Sequence, residues 1–165
     1  MSNSTADLIR DLEATRDETL VFFALGEDAL LRTYGPGKWS VRFLLHHLAD
    51  SETVLYERIR RVLCEPTPLL MVYDQDVWAR ELDYTRVPLE ISRAVFQSVR
   101  SAIIYFADLH YEKDGHRRFV HSTMGERTLR DEFDKVAWHN AHHLGHIRAA
   151  LARGEGQAPS QQSKL

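Results

Sequence analysis

The sequence predicts an all-α fold, a single four-helix bundle. Three observations carry that prediction. Four long segments repeat apolar side chains at helical spacing. Each segment is bracketed by residues that cap or break helices, and the stretches between them show little of the alternation that marks a strand. The 165 residues are enough for one domain with a substantial core.

Ser4 and Asp7 form a capping box for a first helix running to about Leu25, and Glu27 to Arg32 add a turn or two before Tyr34-Gly35-Pro36-Gly37 breaks the chain. Ser40 caps a second helix that reaches Cys64 or Glu65, where Pro66 and Pro68 end it. A short helix is expected around Gln75 to Leu82. Pro88 suits the first turn of a third long helix extending to about Leu109. Residues 111 to 127 are polar and predict a small turn or hairpin. Thr128 caps the fourth helix, which ends near Arg153 with Gly154 as its C-cap. Residues 1–154 therefore form one domain, and the Gln- and Ser-rich residues 155–165 are expected to be a disordered tail.

Composition excludes several classes. Hydrophobic residues make up 44% and charged residues 27%, with a net charge of -3 and a pI near 6.3, so there is no basic footprint for nucleic acid. Arg58, Arg60 and Arg61 read as a solvated helix face. No apolar stretch approaches the ~20 residues needed to span a membrane, and the N-terminal Met-Ser-Asn-Ser-Thr-Ala-Asp lacks the regions of a signal peptide. A cytoplasmic location is expected. Cys64 is the one cysteine; it excludes an intrachain disulfide and reads as a small buried hydrophobe.

Nine histidines are the unusual feature. Six fall in two clusters, His46 and His47, then His139, His142, His143 and His146. Each helical residue turns about 100° around the axis. In the fourth helix Leu129, Phe133, Val136, Leu144, Ile147 and Leu151 define an apolar stripe. His143 lies about 60° and His139 about 100° from its centre, whereas His146 and His142 lie about 120° and 160° away. In the second helix His47 sits about 100° from the stripe and His46 about 160°. Rotation thus selects His47, His139 and His143 as inward-facing. His139 and His143 are four residues apart and project from one face. Three neutral imidazoles suit a borderline cation such as zinc or nickel, and three protein ligands leave positions open, as in catalytic sites. A Glu-x-x-His pair for a di-iron centre and a His-Glu-x-x-His zinc helix are both absent.

These residues resemble a known family. Gly37-Lys38-Trp39-Ser40-Val41-Arg42 with His46-His47-Leu48-Ala49-Asp50-Ser51 resembles the start of the second helix in DinB-like proteins, closest to the YfiT-like branch of metal-dependent hydrolases and bacillithiol transferases. Tyr73-Asp74 with Trp78, and Trp138-His139-Asn140-Ala141-His142-His143-Leu144-Gly145-His146-Ile147, resemble later segments of that branch. The resemblance implies the bundle fold, a divalent metal on His47, His139 and His143, and a homodimer. It also implies a small-molecule substrate, with a low-molecular-weight thiol as a co-substrate.

Two enzyme readings follow, hydrolysis through an activated water and transfer of a thiol to an electrophile; the resemblance favours the second. The rival is a non-catalytic, stress-related metal-binding bundle acting through a partner, which predicts a fourth side chain closing the site. Glu52 falls about 40° from the stripe and is read either as a proton acceptor near the metal or as the partner of an arginine on another helix. Asp50 is expected to face solvent or bond between helices, and Asn140 must hydrogen-bond inside. Tyr73, Asp74 and Trp78 are candidates for a pocket wall. Trp39 and Trp138 are expected in the core or an interface, and His110, His116 and His121 carry no assigned role.

Overall fold

The structure, a computed structural model, describes residues 4–153. They form α1 (Thr5–Phe22), α2 (Glu27–Leu30), α3 (Val41–Cys64), β1 (Leu69–Leu70), α4 (Gln75–Glu81), α5 (Leu89–His110), β2 (Arg118–His121), β3 (Gly125–Thr128) and α6 (Leu129–Arg153). Gly154 and the tail 155–165 lie outside the described residues.

The helix starts follow local chemistry. Ser4 Oγ accepts from the Asp7 amide at 3.2 Å, and Ser40 Oγ from that of Phe43 at 3.3 Å. Before α6, Thr128 Oγ1 accepts from the Asp131 amide while Asp131 Oδ2 accepts from that of Thr128. This is a reciprocal cap with aspartate where glutamate is usual. The end of α1 departs from expectation. Beyond Phe22 the amides of Ala24 and Leu25 bond to the carbonyls of Val21 and Phe22, so the last turn tightens to 3₁₀ geometry.

The four long helices are α1, α3, α5 and α6. Both α1 and α3 pack against α5 and α6, so the first two long helices lie diagonally across the bundle. One apolar cluster joins Leu8 and Leu12 to Ile59, Val62, Ile103, Phe133 and Val136; the other joins Phe23 to Val41, Leu44, Leu45, Phe96 and Ile147. By these pairings α1 and α6 run one way and α3 and α5 the other. The diagonal crossings are carried by the α2 segment and by the β2–β3 hairpin, to which β1 adds in parallel.

Between the two clusters sits a polar layer. Arg100 on α5 is fully buried; its Nε and Nη2 donate to Glu52 Oε2 and Oε1 at 2.9 and 2.6 Å. Its Nη1 donates to the Leu12 carbonyl and Thr15 Oγ1 of α1, both at 3.0 Å. Asn140 Nδ2 on α6 donates to Thr19 Oγ1 at 3.3 Å. Such charges persist in a core only when fully engaged.

Two surface assignments need correcting. Arg58 is buried, not solvated, because the segment after β1 and α6 close over it; its guanidinium reaches the Met71 carbonyl and lies 3.4 Å from Glu132. Cys64, expected inside, is exposed at the end of α3.

Candidate metal centre

His47 comes from α3, about two turns after Ser40 and Val41 set the register, and His139 and His143 come from successive turns of α6. The antiparallel approach of these neighbours puts the three rings together. Their centroids are 5.0 Å (47–139), 4.7 Å (47–143) and 4.5 Å (139–143) apart. Each ring offers one nitrogen, and these atoms all lie within 4.8 Å of one another. His47 and His143 are buried and His139 half-buried. Burial pushes His47 down to about 4. Burial and the neighbouring His143 and His47 push His139 to about 2. Burial and His47 push His143 to about 3. All three are therefore neutral at pH 7, the form that ligates a cation.

The arrangement fits an ion. His47 Nε2 and His139 Nε2 are 3.1 Å apart. Two ring nitrogens bound at about 2.0–2.1 Å stand about 2.9 Å apart at a right angle and about 3.3 Å at a tetrahedral one. Nδ1 of His139 and of His143 is buried with no hydrogen-bond partner among the described residues; an ion on His139 Nε2 would leave the Nδ1 of that ring unengaged. No fourth histidine, cysteine or carboxylate joins this group among the described residues.

Around the centre, Ser51 Oγ lies 3.4 Å from both nitrogens of His47 and 2.6 Å from the Tyr73 hydroxyl. Trp39 is half-buried with its ring 5.2 Å from that of His47, and Tyr73 packs against Trp78 at 4.7 Å. Ser51 was not singled out in the sequence, although its position one turn after His47 is the signal that could have found it.

Other candidates are placed elsewhere. Glu52 is not a free proton acceptor: both carboxylate oxygens are held by Arg100 in the sealed polar layer. Asp74 is exposed; its Oδ1 accepts the Asp76 and Val77 amides and caps α4. Asp50 accepts from the Tyr84 hydroxyl at 2.5 Å. His46, predicted to face outward, is buried, with Nδ1 2.8 Å from Ser92 Oγ, because Tyr84 and α5 cover that side of α3. Trp138 is 62% exposed, which removes the core alternative and leaves that of an interface. Starting one turn before His139, a cleft of about 370 Å³ runs along α6, lined by Lys135, Trp138, Glu132, His121 and Met124.

A diagonal four-helix bundle with three imidazoles gathered between its second and fourth long helices defines the class. The chain belongs to the DinB superfamily, whose profile matches residues 11–147. A relative from Oceanobacillus iheyensis, named "Putative metal-dependent hydrolase", is 34% identical over 133 residues, 81% of this chain and 76% of its own. Another from the same organism, named likewise, is 30% identical over 151 residues, 92% and 86% of the two chains. YfiT from Bacillus subtilis, described as a probable metal-dependent hydrolase with an unusual four-helix bundle topology, superposes with a TM-score of 0.83 at 28% identity, covering 96% of this chain and 91% of its own.

Proposed function

We propose that this chain is a metal-dependent enzyme holding one divalent ion, zinc or nickel, on His47, His139 and His143, and acting on a small molecule. The observation that carries this reading is the convergence of three neutral imidazoles, two buried and one half-buried, with no fourth side-chain ligand among the described residues. A purely structural ion wants a closed site. When bound, such an ion supplies Lewis acidity that makes a water or a thiol nucleophilic near neutral pH.

The chain's own groups do the rest. Ser51 and Tyr73 present linked hydroxyls beside His47, able to hold a nucleophile's proton or orient a polar substrate group. Tyr73 and Trp78 give an aromatic wall on that side; the cleft along α6 is lined by none of the three histidines. The names of the relatives support hydrolysis; the resemblance of the His-His-Leu-Ala-Asp-Ser and fourth-helix segments supports transfer of a low-molecular-weight thiol through the same position. We also propose a homodimer, to be checked by sedimentation. No helix among the described residues is long and apolar enough to cross a membrane.

Metal content by mass spectrometry is the test. One equivalent in the purified protein, absent from a folded His143→Ala variant, is expected. No stoichiometric ion after incubation with zinc, nickel or manganese would overturn the proposal. Ester hydrolysis assayed with and without small thiols then separates the two chemistries.

A further inference from the structure

α6 carries a second imidazole group facing outward from the first. His142, His143 and His146 each offer one nitrogen, and these nitrogens again lie within 4.8 Å of one another. His142 and His146 are four residues apart, so they share one strip of the helix, and their rings are 4.4 Å apart. His143 completes the group at 5.2 Å from His142 and 5.5 Å from His146.

The two outer rings are held flat from one side. Tyr34 stacks on His146 at 4.2 Å with the planes 1° apart, and Trp138 stacks on His142 at 5.2 Å and 13°. Face stacking occupies the π-surface and leaves the ring edges, where the nitrogens sit, free to bind. Nδ1 of His146 and Nδ1 of His143 are both buried with no hydrogen-bond partner among the described residues. His142 is exposed and His146 half-buried, so the group opens to solvent. Stacking explains why the rings are ordered; it does not explain the unpartnered buried nitrogens of His143 and His146 in a group of three converging imidazoles.

We propose that His142, His143 and His146 form a second, outer position for a borderline divalent cation, sharing His143 with the inner one. This inference does not depend on the catalytic reading of the inner site. Imidazole donors select zinc, nickel, cobalt or copper over magnesium or calcium. A neutral imidazole has one lone pair to give, so His143 serves one ion at a time and the two positions exclude each other. The outer one is weaker because two of its rings lie toward water. It is thus uncovered by removing the inner ligands that it does not use.

Cobalt(II) is the probe, its visible absorption reporting coordination. A His47→Ala/His139→Ala variant, folded by circular dichroism, is expected to bind one cobalt at least about tenfold more weakly than the parent, a difference of about 1.4 kcal/mol. Adding His146→Ala should remove that binding. A folded double variant that binds no cobalt, or a triple variant that binds as well as the double, overturns the outer position. If the alanines unfold the bundle, glutamine at 47 and 139 poses the same question with side-chain volume kept. A parent affinity unchanged in the double variant would instead sink the inner site while leaving the outer one standing.

Discussion

A carboxylate inside a bundle has two uses, and Glu52 shows how geometry chooses between them. With both oxygens paired to Arg100 and no exposure, it is sealed away from any reacting group. Arg100→Leu leaves Glu52 buried without its partner and is expected to cost about 3–5 kcal/mol by denaturant unfolding, whereas Glu52→Leu/Arg100→Leu together recovers most of that loss. Glu52→Gln should leave metal content unchanged. At this scale the sequence was informative about side chains that look along their own helix's stripe. His47, His139 and His143 were selected by rotation alone, and the structure brings their rings together. His46 and Arg58 were misjudged for one reason: each is covered by a segment remote in sequence, Tyr84 and α5 for one, Met71 and Glu132 for the other. A helical wheel holds no information about such covers.

Among the elements, caps were legible and crossings were not. Ser4, Ser40 and Thr128 announce three of the four long helices because their hydroxyls act within three residues. The hairpin was expected only loosely, and its parallel partner Leu69–Leu70 was not expected at all, since its register with Val120 and His121 is a tertiary fact. Two residues anchor this end of α5. A Cβ on Gly115 would stand 2.2 Å from the Tyr111 carbonyl oxygen, so Gly115→Ala should destabilise by about 1–3 kcal/mol in denaturant melts. Tyr111 donates to Asp134 Oδ1 at 2.8 Å; burial and that carboxylate push its hydroxyl from 10.0 up to about 12. A raised folded value means that the unfolded chain loses its proton first. Stability is therefore full below pH 10 and falls as pH rises through about 12. Tyr111→Phe should remove this part of the alkaline slope in melts between those limits.

For the whole molecule, the prediction concerns the ion as a tie between α3 and α6. A ligand that binds only the folded state stabilises it by mass action. Zinc at a hundredfold excess over its dissociation constant should add about 2.7 kcal/mol, and a chelator should remove it. His143→Ala should abolish most of the increment, and His142→Ala, which spares the inner ligands, should keep it.

The polar layer also closes a hoop. Glu52 on α3 grips Arg100 on α5, Arg100 grips Leu12 and Thr15 on α1, and Thr19 on α1 meets Asn140 on α6. Beside Asn140 stands His139, whose ring nitrogen faces His47, back on α3. Sliding any one helix by a turn, about 5.4 Å, would drag a guanidinium or an amide into hydrocarbon. The height at which His47 meets His139 is thus fixed the long way round the bundle, by bonds that involve no metal. On the proposed reading, little of an ion's binding energy is diverted into aligning helices.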